Sequence, residues 1–165
     1  GVSSAASDVY KRQVKGWPAG PNIEGQSAVL MDAVTDTILY SKNAKDKLYP
    51  ASITKIMTAL LACEYLDMND TITMSQEAAY GIEAGSSSIY AETGEVFTVE
   101  QALMALMLES ANECANAIAE HISGSTEEFA NLMNQRAAEL GCTNTHFANP
   151  SGLPNEEHYL SLIHI

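Results

Sequence analysis

The chain has 165 residues, 46% of them hydrophobic, which is enough for one domain with a core of its own. The formal net charge of −13 argues against a nucleic-acid partner, because phosphate backbones select basic surfaces. No run of 18 apolar residues predicts a membrane span.

The N-terminal end carries no signal for regular structure. Residues 1–13 are polar, show no apolar periodicity and lack the apolar stretch of a secretory signal. They resemble a fusion or adapter remnant. We therefore predict that residues 1–13 are a non-native leader that does not contribute to the fold.

One hairpin and one long helix are predicted in the first half of the chain. Residues 27–32 and 37–40 have the composition of strands, and the four residues between them fit a hairpin loop. A helix is predicted from Ser52 to about Tyr65. Three short elements are predicted next: a strand at 71–74, a helix over 76–80 capped by Ser75, and a loop at 81–88.

Three helices with clear boundary signals are predicted in the second half. A capping box at residues 98–101 opens the first of them. A helix over about 113–122 ends before Gly124, and a capping box at 125–128 starts a helix that Gly141 stops. One hairpin followed mainly by helices indicates an α+β domain.

The stretch Ser52-Ile53-Thr54-Lys55 carries the predicted chemistry. A serine three residues before a lysine lies about 4.5 Å from it along a helix axis, so the amine reaches the hydroxyl. Serine is a poor nucleophile until a base takes its proton, and a lysine whose pKa is lowered by burial can be that base. The start of a helix also offers free N–H groups to an oxyanion. Lys55 borders an apolar stripe made of Ile53, Ile56, Met57, Leu60 and Leu61. The pattern predicts an acyl-transfer serine enzyme.

A second motif, Ser110-Ala111-Asn112, falls between two predicted helices, where a break in the helix would aim a hydroxyl and an amide at one point. Structural interpretations compete with the catalytic ones. Ser52 also fits a helix N-cap. Ser110 and Asn112 also fit turn residues that bond their own backbone.

The cysteines and histidines show no spacing typical of a zinc site. Cys63 and Cys114 are predicted to be small buried residues, and His146 a packed polar side chain. We therefore expect no metal centre.

Four short motifs follow one another along the chain. They are Tyr49-Pro50-Ala51-Ser52-Ile53-Thr54-Lys55-Ile56-Met57-Thr58-Ala59-Leu60, Gly85-Ser86-Ser87, Ser110-Ala111-Asn112-Glu113-Cys114-Ala115 and Asn144-Thr145-His146-Phe147-Ala148-Asn149-Pro150-Ser151-Gly152-Leu153. In order and spacing they resemble the D-alanyl-D-alanine carboxypeptidases of serine peptidase family S11, which are low-molecular-mass penicillin-binding proteins. The resemblance runs from about Trp17 to His158. Each motif alone is weak evidence, whereas four in series are specific.

The resemblance implies a β-lactamase/transpeptidase-like fold, present here as an N-terminal hairpin plus a helical region with the C-terminal strands missing. Residues 14–159 would form a partial catalytic domain, and residues 160–165 a non-native tail. Relatives place glycine near Asp36, which implies a positive φ there. The Lys-Thr-Gly motif of the family is absent after Asn112, so we expect the chain itself to be inactive.

The resemblance also implies roles for four residues. Ser52 would attack the carbonyl of a penultimate D-alanine, Lys55 would accept the Ser52 proton, and Ser110 would help pass it to the leaving amine. Asn112 would bind a substrate amide or steady Lys55. No metal or organic cofactor is required. The implied partners are peptidoglycan stem peptides ending in D-Ala-D-Ala, and β-lactam antibiotics, which mimic that end.

Family members act outside the cytoplasmic membrane, so we expect an extracytoplasmic location, with membrane association only through a C-terminal segment missing from this chain. Two further functions stay open: a D-alanyl-D-alanine endopeptidase of the same family, and a non-catalytic module that binds peptidoglycan or β-lactams. A class A β-lactamase typically has Ser-Asp-Asn, so Ala111 argues against that class.

Overall fold

The computed structural model describes residues 20–164, so the predicted leader at 1–13 lies outside the described residues. The strands are β1 (Ala28–Asp32), β2 (Thr37–Lys42), β3 (Thr71–Thr73) and β4 (Val96–Thr98). The α-helices are α1 (Lys55–Tyr65), α2 (Gln76–Tyr80), α3 (Val99–Leu108), α4 (Asn112–Ser123) and α5 (Thr126–Glu139). Short 3-10 turns span Ala51–Thr54 and Leu162–His164. The predicted α+β composition is confirmed.

The strands β1 and β2 form the predicted hairpin and pair in the antiparallel sense. The Asp32 carboxylate closes the turn by accepting the N–H groups of Val34 and Thr35, at 3.1 and 2.7 Å. Asp36 has a φ of 54°, as the resemblance implied. Aspartate tolerates this left-handed region better than most residues, so the hairpin forms without glycine at this position.

The predicted capping residues act at the helix boundaries. Ser75 and Ser125 each accept the N–H of the third residue after them, at the starts of α2 and α5. Thr98 and Gln101 form a reciprocal capping box at the start of α3. Gly124 ends α4 with a φ of 82°, a left-handed conformation that glycine adopts at little cost. Local sequence signals therefore set the ends of these four helices.

The strand β4 was missed by the sequence analysis. It pairs antiparallel with β3, with Ile72 opposite Phe97. A strand of three residues is too short for an alternating pattern to stand out from its surroundings. The pair leads directly into α3, which begins at Val99.

The helix α4 is the centre of the fold. All of residues 112–119 are buried, and α4 packs against α1, α2, α3 and α5. One apolar cluster fills the space where α2, α3 and α4 meet, and a second lies between α1, α5 and Phe147. The start of α4 is therefore held in a fixed place beside α1.

The segment that follows α5 lies under the start of α1. The Thr58 hydroxyl donates a hydrogen bond of 2.6 Å to the Pro150 carbonyl oxygen. Gly152 has a φ of 87°, and a Cβ at this position would overlap the carbonyl oxygen of Ala51. Only glycine therefore allows the segment to approach the turn that contains Ser52 this closely.

Part of the C-terminal tail is packed. Residues 160–165 are predicted to be a non-native tail outside the fold, but Leu160 is only 3% exposed. Its backbone exchanges N–H···O bonds of 2.9 and 3.0 Å with Leu48, and the Ile163 N–H donates to the Ala44 carbonyl oxygen. The structure therefore gives Leu160 a place in the core, whereas the non-native origin of residues 160–165 stays a prediction.

The two cysteines predicted to be buried differ in exposure. Cys114 is buried within α4, as predicted, but Cys63 is exposed, so the prediction for Cys63 was wrong. Cys63 follows the buried Leu61 and Ala62 in α1. Since each helical residue turns about 100° from the one before it, residue 63 points away from the face that Leu61 buries.

An apolar face of α1 is partly exposed in the described part of the chain. Ile53 and Ile56 are 42% and 51% exposed, and Leu140 beside them is 48% exposed. They border a groove whose floor is formed by Met57, Leu60, Cys142, Phe147 and Leu160. A contiguous apolar surface of this kind favours association.

We predict that the 165-residue chain on its own self-associates through this face of α1. Replacing both Ile53 and Ile56 with threonine should raise the monomer fraction in sedimentation velocity, because the exposed apolar area is reduced. Val34→Thr is the matched control, since Val34 is 92% exposed at the hairpin turn, away from the groove. A wild-type chain that sediments as a monomer at all concentrations would contradict this prediction.

We also predict that Gly152→Ala destabilises the fold more than Gly94→Ala. Gly152 and Gly94 have φ values of 87° and 88°, so both force alanine into the same unfavourable range of φ. A Cβ at Gly94 meets nothing within 4 Å, whereas a Cβ at Gly152 overlaps Ala51. Overpacking of this kind costs about 1–3 kcal/mol, which urea unfolding measures. Equal free energies of unfolding for the two variants would show that the close approach at Gly152 is not a constraint.

Candidate active site

Ser52 lies in a tight turn that leads into α1. Ala51, just before it, has a φ of 49°, and the 3-10 turn Ala51–Thr54 continues directly into the α-helix. The α-helix therefore begins at Lys55 and not, as predicted, at Ser52, because the tighter 3-10 turn precedes it. The Ser52 side chain is exposed and does not cap the helix. The N-cap interpretation of Ser52 is therefore not the one that the structure supports.

Lys55 is buried and makes three hydrogen bonds. The residue is only 2% exposed. Its Nζ donates hydrogen bonds to Ser52 Oγ at 3.3 Å, to Asn112 Oδ1 at 2.7 Å and to the Ser151 carbonyl oxygen at 2.8 Å. These acceptors use all three protons of an ammonium group. Burial lowers the pKa of Lys55 to about 8, and the negative charge of Glu113 acts in the opposite direction.

Ser110 occupies the break between α3 and α4 that the sequence predicted. It has a φ of 57°, uncommon for a residue other than glycine. Its Oγ donates to Ser52 Oγ at 2.9 Å. The turn at Ser110 thus brings a second hydroxyl to Ser52 across 58 residues of sequence.

Asn112 is the first residue of α4 and is 4% exposed. Its side-chain oxygen accepts a hydrogen bond from Lys55 Nζ, and its backbone N–H donates to the Ser87 carbonyl oxygen at 3.0 Å. Of the two roles that the resemblance implied, steadying Lys55 requires this contact between Asn112 and the lysine, and it stays a prediction. Contact with a substrate amide stays a prediction. The Gly85-Ser86-Ser87 motif adjoins the site through the backbone of Ser87.

The loop at residues 149–152 contributes to the site in a way that was not predicted from the sequence. The Asn149 side-chain oxygen accepts the N–H of Gly152 at 2.7 Å and that of Ser151 at 3.2 Å. This bonding folds a turn that presents the Ser151 carbonyl oxygen to Lys55. The order Asn-Pro-Ser-Gly signals a turn, but nothing in the sequence indicates that a carbonyl in it faces the lysine.

His158 was also missed and lies directly behind the site. It is 2% exposed, its Nδ1 accepts the Ala148 N–H at 3.2 Å, and its Nε2 lies 2.7 Å from Thr54 Oγ1. Because Nδ1 accepts a hydrogen bond, Nε2 carries the proton of the neutral ring and donates a hydrogen bond to Thr54 Oγ1. Burial, with a smaller effect of His146, lowers the pKa of His158 to about 4, so the ring is neutral at pH 7. It therefore supports the Ser52 turn as an uncharged group.

His146 is a packed polar side chain, as predicted. Its Nδ1 lies 2.6 Å from the Glu157 carbonyl oxygen, and its ring stacks on Tyr159. Among residues 20–164, no set of three or more histidine, cysteine or acidic side chains is grouped to hold a metal ion. None of the helices described has the length and apolar character needed to cross a bilayer.

Comparison with known proteins gives the family. The sequence model of the D-alanyl-D-alanine carboxypeptidases, peptidase family S11, matches residues 14–163. The D-alanyl-D-alanine carboxypeptidase DacF of Bacillus subtilis is 47% identical over 143 residues, which are 84% of this chain and 36% of the relative.

Two solved structures are similar in fold. The D-alanyl-D-alanine carboxypeptidase DacD from Francisella tularensis superposes with a TM-score of 0.83 at 37% identity, over 89% of this chain and 36% of that one. Penicillin binding protein 6B from Escherichia coli superposes with a TM-score of 0.85 at 28% identity, over 93% of this chain and 51% of that one. The β-lactamase/transpeptidase-like fold is thereby confirmed.

The chain spans about a third of the B. subtilis relative's length, and within that third it holds the serine, lysine and second-motif residues in one cluster. With the family match covering nearly all of the sequence, the chain belongs to the D-alanyl-D-alanine carboxypeptidase family, peptidase family S11.

Proposed function

We propose that these residues belong to a serine D-Ala-D-Ala carboxypeptidase, which removes the terminal D-alanine of peptidoglycan stem peptides through an acyl-enzyme. The observation that carries the proposal is the double contact of Ser52 Oγ, with Lys55 Nζ at 3.3 Å and with Ser110 Oγ at 2.9 Å. One exposed hydroxyl is thus held between a group that can take its proton and a group that can pass a proton on.

Acylation begins from the neutral form of Lys55. The lysine nitrogen takes the Ser52 proton while Ser52 Oγ bonds to the carbonyl carbon of the penultimate D-alanine. The electron pair of the carbonyl moves to its oxygen, which N–H groups at the helix start can stabilise. When the tetrahedral intermediate collapses, the C–N bond breaks. Ser110 relays a proton from Lys55 to the leaving amine, and D-alanine departs.

Deacylation repeats the same steps with water as the nucleophile. The water gives a proton to Lys55 and attacks the ester, and Ser52 Oγ regains a proton as it leaves. A β-lactam would acylate Ser52 in the same way, except that its leaving amine stays tethered to the acyl group. We further propose that the enzyme acts outside the cytoplasmic membrane, where its peptidoglycan substrate lies.

The residue substitutions that test this proposal are Ser52→Ala, Lys55→Ala and Ser110→Ala, made in the protein with its sequence continued to the length of its relatives. We expect Ser52→Ala to abolish both labelling by a fluorescent penicillin and release of D-alanine from a D-Ala-D-Ala peptide. Lys55→Ala and Ser110→Ala should slow acylation about 10²–10⁴-fold, the usual contribution of a proton-transfer group. Ser41→Ala, at an exposed serine of β2, should change nothing.

The reaction products distinguish the carboxypeptidase from an endopeptidase and from a non-catalytic binding module. Cleavage of a cross-linked dimer without release of free D-alanine would indicate the endopeptidase. Reversible β-lactam binding without a covalent adduct would indicate a non-catalytic module. Either result would contradict the carboxypeptidase assignment.

The pKa of Lys55 predicts the pH dependence of acylation. The base is the neutral lysine, so the rate should be low in acid, rise as the proton is lost and level off above a midpoint near pH 8. At pH 7 about one lysine in ten would be neutral. Second-order rates of penicillin labelling between pH 5 and 10 measure this profile. A rate independent of pH across this range would show that Lys55 is not the base.

A further inference from the structure

Glu113 is a fully buried carboxylate next to the site, with an exposure of 0%. It is the second residue of α4 and follows Asn112 directly. Its Oε1 accepts the Ser88 hydroxyl at 2.6 Å and the Ile89 N–H at 2.7 Å, with the Ala91 N–H further away at 3.5 Å. Its Oε2 is buried and accepts no hydrogen bond from the described residues.

These bonds fix the loop at residues 87–91 to the first turn of α4. The Asn112 N–H donates to the Ser87 carbonyl oxygen in the same loop, so two adjacent residues of α4 hold it. Tyr90 within the loop has a φ of 61°, which persists only where the surroundings impose it. The loop and the helix start that carries Asn112 therefore form one unit, with Glu113 at its centre.

Glu113 is also the charged group that follows Asn112 in α4, and Asn112 accepts a hydrogen bond of 2.7 Å from Lys55. Cys114, the next residue of α4, is neutral, because burial, with a smaller effect of Glu113, raises the pKa of its thiol to about 12. From the segment after α5, His158 is neutral at pH 7. Glu109, Glu156 and Glu157, on the turn before α4 and on the segment after α5, are exposed and screened by solvent. Glu120, the other carboxylate of α4, is partly buried but lies seven residues, about two helical turns, beyond Glu113. A buried negative charge favours the protonated lysine.

We propose that Glu113 is a positioning residue for the Ser52–Lys55 pair. Its carboxylate anchors the 87–91 loop to α4 and keeps the lysine charged before substrate binds. The charged lysine has three protons to donate, so it holds Ser52, Asn112 and Ser151 in place together. The kinetic consequence of this role rests on the proposed function, whereas the effect on Lys55 itself does not.

The variant Glu113→Gln separates the charge from the anchor, because glutamine keeps the size and the Oε1 acceptor. We expect the midpoint of the acylation profile to move to lower pH by about half a unit or more, since the charge that favours the protonated lysine is lost. Glu109→Gln is the matched control: it removes the same charge next to Ser110, at an exposed position, and should leave the midpoint within about 0.2 unit.

The variant Glu113→Ala tests the anchor. Without the carboxylate, amide hydrogen exchange at Ile89 and Ala91 should accelerate at least about tenfold, as expected for backbone groups released to local opening. In Glu113→Gln the exchange should stay within about threefold of wild type. Unchanged exchange at Ile89 and Ala91 in Glu113→Ala would overturn the anchoring role.

A direct titration of Lys55 makes the test independent of activity. The ¹³Cε resonance of Lys55, assigned by its loss in Lys55→Arg, reports the protonation of the amine in wild type and Glu113→Gln. A lower midpoint in Glu113→Gln supports the proposal even if no acylation is detected, in which case the proposed function fails and this inference stands. Equal midpoints in wild type, Glu113→Gln and Glu109→Gln would overturn it.

Discussion

The hydrogen bonds of the buried Lys55 side chain hold the site together. The three protons of its ammonium group go to acceptors from three separate segments: the turn before α1, the start of α4 and the loop after α5. Removing such a charge from water costs several kcal/mol, and a hydrogen bond to a charged group contributes about 1.5–3 kcal/mol. Three such bonds are of the size needed to offset the cost. The position of Ser52 is thus coupled to the packing of α4 and of the 149–152 loop.

Backbone strain lies on both sides of the Ser52 hydroxyl. Ala51 and Ser110 have positive φ values, a conformation that costs a residue other than glycine about 1–2 kcal/mol. Packing imposes both conformations: Gly152 lies against Ala51, and α3 and α4 fix the ends of the Ser110 turn. In return, the two serine hydroxyls meet at 2.9 Å. Strain of this kind persists where a site needs a particular geometry.

The helices and the two serine motifs, at Ser52 and at Ser110, could be predicted from the sequence because their signals are local. The spacing of Ser52 and Lys55 gives their contact, and the break at Ser110 gives the second hydroxyl. Groups that reach the site from a distance were not predictable: the Ser151 carbonyl is a backbone atom, and His158 approaches Thr54 only because the chain folds back over 104 residues. The exposure of Cys63 was not predicted because the apolar pattern of one helix does not determine which residues at its edge face the core. The strand β4 was not predicted because three residues are too few to show which strand they pair with.

Peptide mapping after reaction with a penicillin identifies directly which serine is acylated. Trypsin cleaves after Lys47 and Lys55, so Ser52 lies in the peptide 48–55, whereas Ser110 lies in the peptide 56–136. In the protein extended to the length of its relatives, we expect the mass of one opened β-lactam to be added to peptide 48–55, on Ser52. An adduct on peptide 56–136, or no adduct on an otherwise folded protein, would contradict the assignment of Ser52 as the nucleophile.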